Sequence, residues 1–293
     1  MAAHRVAKIP LLVYGTAWKK GQTRDLVRQA INAGFRGVDT AAQPKHYQEH
    51  LVGEGIRDAL KDSTITRADL YIQSKFSPIH GQDLTNMPYN PADSLHEQVK
   101  ASVASSLHNL RHTSDSPEGY IDCLVLHSPY PTITETREVW QAMESHVPHS
   151  VRTLGISNIY HLPALRQLYD SASIKPTVVQ NRFYAQTGYD QSIRAFCAEK
   201  GITYQSFWTL TANPQLLRSE PVARIAEKVG VSLPVSLYSL VLGLGRVSVL
   251  NGTTNSGRMR DDVEGLKLVN HWKKADKEAW QSALSSFKGM LQS

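Results

Sequence analysis

Cysteine is nearly absent from this chain. Two thiols in 293 residues, Cys123 and Cys197, are too few for a disulfide framework. Cys123 sits in an apolar run and Cys197 in a helix-like stretch. Both read as small buried hydrophobes of a reducing compartment, so the cytoplasm is the expected location. The N-terminus lacks the apolar core of a signal peptide, because Gly15 and Thr16 end the short apolar run Ile9 to Tyr14. No stretch reaches the roughly 20 apolar residues that a membrane span needs. The nearest approach, Pro234 to Leu250, is interrupted by serine, glycine and arginine. Clustered charge is missing too. The net charge of +6 is spread along the chain, and no arginine-rich run or nucleic-acid motif occurs. Such a spread excess suits an anionic small ligand, and neither nucleic acid nor a membrane is expected as a partner.

Two hydrolase signatures fail for want of one residue each. His46 and His50 are four apart, but no glutamate follows the first histidine as a zinc protease requires. Gly155-Ile156-Ser157-Asn158-Ile159 lacks the closing glycine of a nucleophile elbow. No Pro/Gly/Ser-rich linker divides the chain, so a single domain, 1–293, is expected.

What the sequence does contain is a regular alternation of short apolar runs and helical stretches. Strands are expected at Leu11 to Tyr14, Phe35 to Val38, Leu70 to Ser74, Ile121 to Leu126, Arg152 to Ile156, Thr177 to Gln180, Ile202 to Gln205 and Val247 to Leu250. Helices are expected between them: Arg24 to Ala33 ended by Gly34, Glu49 to Leu60, Ser94 to Arg111 capped by Asp93, Glu135 to His146, Leu162 to Ser171, Gln191 to Lys200, and Pro221 to Val229 followed by Pro234 to Leu244. A last helix starts near Ser256. Strand–helix alternation implies a parallel sheet with right-handed crossovers. Eight such units close into an α/β, (β/α)8 TIM barrel; an open doubly wound sheet is the alternative on pattern alone.

In such a barrel the chemistry lies where strands end. Polar residues follow the expected strands one after another: Asp39-Thr40, Lys75, His127-Ser128, Ser157-Asn158, Gln180-Asn181, Ser206, and Asn251-Gly252-Thr253-Thr254. A single polar strand end is usually a satisfied structural group; seven on one face point to a site. Asp39, Lys75 and His127, joined by Tyr47 from the loop after the second strand, can form a proton relay. The Lys75 ammonium is expected to lower the phenol pKa, Asp39 to hold the ammonium in place, and His127 to orient a carbonyl or share the proton.

These segments resemble the aldo-keto reductase family. Gly34-Phe35-Arg36-Gly37-Val38-Asp39-Thr40-Ala41 is similar to its first signature. Gln73-Ser74-Lys75-Phe76 resembles the lysine segment, and Leu126-His127-Ser128-Pro129 the histidine segment. Gly155-Ile156-Ser157-Asn158 and Gln180-Asn181-Arg182 are further matches in order. The resemblance implies reduction of a small-molecule aldehyde or ketone by hydride transfer, with NADPH favoured over NADH, in a monomer. It implies Tyr47 as general acid with Asp39, Lys75 and His127. It also implies Ser157, Asn158 and Gln180 at the nicotinamide carboxamide, Gly15 and Thr16 beside the ribose or nicotinamide, and Asp39 among the cofactor-binding residues. Ser206 and Trp208 fall near the pyrophosphate, and Gly252, Thr253, Thr254 and Arg258 at the adenosine end.

Three departures stand out. The family tyrosine usually follows the aspartate by five positions, where this chain has Pro44; Tyr47 follows by eight, as in a longer-loop branch common in fungi. Gln205 stands where the family has a tyrosine that stacks on the nicotinamide. Gly252 stands where it has a lysine, which removes one charge for a 2′-phosphate and leaves Arg258 as the matching cation. Substrate loops are expected at 77–91, 128–134 and 209–218, with a C-terminal tail at 270–293. A cofactor-binding regulatory subunit and a non-redox biosynthetic enzyme are the competing functions for such a barrel.

Overall fold

The computed structural model describes residues 8–113 and 119–292. Among them, eight parallel strands pair in chain order and close, β8 against β1. They are β1 (Leu12–Gly15), β2 (Gly37–Asp39), β3 (Tyr71–Phe76), β4 (Ile121–Leu126), β5 (Val151–Ser157), β6 (Val178–Arg182), β7 (Thr203–Phe207) and β8 (Val247–Asn251). The helices are α1 (Thr23–Asn32), α2 (Glu49–Asp62), α3 (Leu95–Asn109), α4 (Ile133–Glu144), α5 (Leu162–Ser171), α6 (Gln191–Lys200), α7 (Pro214–Leu217), α8 (Glu220–Val229), α9 (Leu233–Leu242), α10 (Ser256–Ala275) and α11 (Lys277–Met290). The fold is the expected (β/α)8 barrel.

Strands such as β4 form because they are short branched-apolar runs buried on both faces. Their outward residues join the helices in one large core, while Tyr71, Cys123, Val125 and Val178 form a separate apolar cluster against which Ile9 packs. Gln73 and Lys75 follow Tyr71 at intervals of two on β3. All three therefore face the barrel interior, which changes from apolar to polar toward the C-terminal end of the strands.

The structure moves several expected boundaries. β2 begins at Gly37, because α1 ends in a left-handed Gly34 (φ 109°) and the Phe35 amide turns back to the Ala30 carbonyl at 3.0 Å. Phe35 becomes a plug edge-on to Tyr14 rather than a strand residue. Ser94, not Asp93, caps α3: its hydroxyl accepts from the Glu97 amide, while the Asp93 carboxylate takes a bond from the Asn90 amide. α4 starts two residues early at a capping box of Thr132 and Glu135. β3 and β7 each run on by two residues, so Lys75 and Ser206 lie inside strands.

Most of the region expected as a C-terminal tail is helical. α10 runs to Ala275, and α11 packs on α8 and α10; residue 293 lies outside the described residues. Among the described residues no single helix is long and apolar enough to cross a membrane. The apolar pair α8 and α9 is bent by 111° and packs against α10.

Candidate active site

Asp39 ends β2 and is almost fully buried. One carboxylate oxygen accepts from the Lys75 ammonium at 2.6 Å. The other accepts from the side-chain amides of Gln73 (2.6 Å) and Gln180 (3.0 Å). Lys75, 1% exposed, also donates to the Thr40 carbonyl and lies 5.0 Å from the Tyr47 ring centre. Burial works against its charge, but Asp39 and the Tyr47 oxygen outweigh burial and hold its pKa above the usual lysine value.

Tyr47 sits just before α2 with its ring against the Lys75 ammonium, close enough for the two to interact electrostatically. Here an expectation reverses. Burial raises the phenol pKa more than the Lys75 ammonium lowers it, so the net shift is upward. The half-buried tyrosine is a protonated phenol throughout the neutral range, not a poised phenolate.

His127 follows β4, its ring edge-on to Tyr47 with centres 6.0 Å apart. Its Nδ1 is 2.6 Å from the Ser77 hydroxyl, and burial with the nearby Lys75 charge drives its pKa well below the usual 6.5. The imidazole is neutral and fixed at one nitrogen, leaving Nε2 for a substrate oxygen.

The residues matched to a nicotinamide site converge on the same mouth. Ser157 and Gln180 are register partners at the ends of β5 and β6. The Ser157 hydroxyl donates to the Gln180 carbonyl at 2.7 Å. Asn158, in a left-handed conformation (φ 54°), donates to the His127 carbonyl and accepts from Tyr160. Gln205 is fully buried, and its carbonyl oxygen accepts from both Gln73 and Gln180, while its Nε2 has no partner among the described residues. No aromatic ring occupies its position. Exposed tryptophans stand at two other strand ends: Trp18 stacks on His46 with ring centres 3.8 Å apart, and Trp208 lies under the Arg182 guanidinium.

Other sequence-matched residues are less available. Thr16 is buried, and both its amide and its hydroxyl bond the Asp39 carbonyl. It ties β1 to the site from beneath. Gly15 is the register partner of Asp39. The Ser206 hydroxyl is buried and pairs with Thr209. Beyond β8, the Thr253 carbonyl accepts from Tyr14, Gly252 and Thr254 are exposed, and Arg258 is exposed in the first turn of α10.

Sequence reasoning assigned no role to Gln73 or Ser77. Gln73 had a visible signal, since it lies two residues before Lys75 and so on the same face of a strand. Ser77 had none. It becomes the His127 partner because the loop 77–91 folds back, with Tyr89 and Gln82 both donating to the Ser77 carbonyl. His80 bonds Ser128 at 2.9 Å, joining this loop to the one after β4.

A buried ammonium–carboxylate pair touching a phenol, beside a neutral imidazole at the C-terminal mouth of a (β/α)8 barrel, defines an enzyme equipped to protonate an oxygen. The chain matches the aldo/keto reductase family over residues 12–264 and belongs to it. It is an oxidoreductase of that family, acting in carbonyl reduction. It is 29% identical over 284 residues to glycerol 2-dehydrogenase (NADP(+)) of Hypocrea jecorina, covering 85% of this chain and 82% of that one. It is 28% identical over 229 residues to glyoxal reductase of Bacillus subtilis, covering 78% and 72%. Among solved structures, an aldo-keto reductase from a Medee basin deep-sea metagenome library superimposes with a TM-score of 0.70 at 22% identity, covering 90% of this chain and 92% of that chain. That last likeness concerns the fold.

Proposed function

We propose that this protein reduces an aldehyde or ketone to the alcohol with NADPH, Tyr47 acting as general acid. The single observation that carries the reading is the position of the Tyr47 ring, 5.0 Å from the ammonium of the buried Lys75–Asp39 pair. When bound, NADPH supplies the hydride. Tyr47 gives its proton to the substrate oxygen as negative charge develops there; an alkoxide is far more basic than a phenolate, so a phenol with a raised pKa still transfers. Lys75, itself shielded from water, stabilises the phenolate left behind at short range. Asp39 keeps Lys75 charged. Neutral His127 donates a hydrogen bond from Nε2 and fixes the direction of the carbonyl. Ser77 holds that tautomer by donating to Nδ1.

The residues present fit the cofactor. The orphaned Gln205 Nε2 supplies a buried donor beside Gln180. Ser157, Asn158 and Gln180 hold the carboxamide; Gly15 and Thr16 flank the ribose next to Asp39. Ser206 and Trp208 border the pyrophosphate, and Gly252, Thr253, Thr254 and Arg258 receive the adenosine end. NADPH is favoured over NADH because Arg258 suits a phosphate and because a relative is named for NADP(+). The loops 77–91, 128–134 and 209–218 and the C-terminal segment select the substrate. The enzyme works as a monomer in the cytoplasm, a compartment that suits two buried free thiols.

The test is a panel of aldehydes and ketones with NADPH, followed by loss of reduced-nicotinamide absorbance. Turnover of at least one carbonyl is expected. Tight nucleotide binding without any turnover would favour a regulatory role, and product formation without hydride transfer from labelled NADPH would overturn the reductase assignment.

A further inference from the structure

Resting on that cofactor reading, we propose that Lys19 replaces the lysine missing at position 252 and is the second cation of the 2′-phosphate site. The charge has moved from the loop after β8 to the loop after β1.

Lys19 reaches across from the β1 loop, and its ammonium donates to the Gly252 carbonyl. A side chain starting at Gly252 would have its Cβ 3.7 Å from that ammonium and would meet nothing else within 4 Å. The Lys19 nitrogen thus lies in van der Waals contact with the point from which a lysine at 252 would begin. Nothing in the backbone demands glycine there, since Gly252 is not among the left-handed residues.

The ammonium is also short of counter-charge. Lys19 is half-buried, burial lowers its pKa, and among the described residues it has no carboxylate partner. A partly desolvated cation held by one carbonyl gains from an anion. Arg258 is the other cation, exposed on the first turn of α10. The loop holds Lys19 in place: Trp18 (φ 64°) and Lys20 (φ 51°) flank it in left-handed conformations, and the Trp18 amide bonds the His46 carbonyl at 2.8 Å.

NADP+ carries the 2′-phosphate and NAD+ does not, so Lys19 determines specificity between them. The experiment is calorimetric binding of NADP+ and NAD+ to wild type, Lys19→Met and the double variant Lys19→Met/Gly252→Lys. No turnover is involved. Loss of one charge-assisted hydrogen bond predicts that Lys19→Met weakens NADP+ by about ten- to a hundred-fold, with NAD+ changed less than about threefold. Gly252→Lys restores NADP+ affinity in the Lys19→Met background, which also shows that the single variant folds. Unchanged preference in Lys19→Met, equal loss of both nucleotides, or no recovery in the double variant overturns the assignment of Lys19 while leaving the reductase reading intact. Wild-type protein that binds neither nucleotide overturns both together.

Discussion

Burial acts on Tyr47 and His127 in opposite directions with one result. It raises the phenol and lowers the imidazole, so both are neutral and proton-bearing over a wide range. With the proposed roles, activity needs Tyr47 protonated and is lost only as pH rises through a pKa above 10. It needs His127 neutral and is lost only as pH falls through a pKa well below 6.5. The expected kcat/KM for reduction is therefore flat from pH 6.5 to 9; a bell with a limb inside that window would contradict the assigned protonation states. Ser77→Ala removes the partner of His127 Nδ1. Its expected effect is a kcat loss of about tenfold, within the range of one hydrogen bond to a catalytic group, with NADP+ affinity unchanged. Asp39, Lys75 and His127 were legible in the sequence because each interrupts or ends an apolar run. The direction of the Tyr47 shift was not, because sequence reveals a neighbouring charge but not the depth of burial that outweighs it.

At the scale of elements, α2 carries the chain directly out of Tyr47 and is seated by close contact with α3. A methyl group on Gly53 would lie 1.9 Å from the Asn109 carbonyl oxygen, so the two helices meet there with no room for a side chain. Gly53→Ala is expected to destabilise the fold by about 2–3 kcal/mol, as overpacking does, read as a lower urea midpoint at constant m. Because α2 must shift, kcat should fall as well; an unchanged midpoint would show that the helices can part freely. The same helix buries Glu49 against Ser74, Ser106 and Asn109, which further fixes its first turn. The alternation of strands and helices was readable from apolar periodicity alone. What escaped were boundaries decided by capping: Ser94 rather than Asp93, the Thr132–Glu135 box, and a β2 shortened when Gly34 turned Phe35 into the core. The C-terminal helix α11 escaped because its seat on α8 and α10 is tertiary.

At the scale of the whole molecule, the barrel is a closed core with its chemistry at one rim. Both thiols are part of that core: burial pushes Cys123 up to about 11 and Cys197 up to about 12. Neither is expected to react with a thiol reagent in the native protein at neutral pH, and two thiols should appear on denaturation. Fast native labelling would contradict the packing. The family match and the reading of the rim join in one claim, that Tyr47 is the acid although it lies eight residues from Asp39. The direct test is Tyr47→Phe, which keeps the ring and removes the proton, assayed for steady-state reduction and for NADP+ binding. The account predicts a kcat lowered by at least about a hundred-fold with the nucleotide affinity within about twofold of wild type. Wild-type kcat in the Tyr47→Phe protein would contradict it.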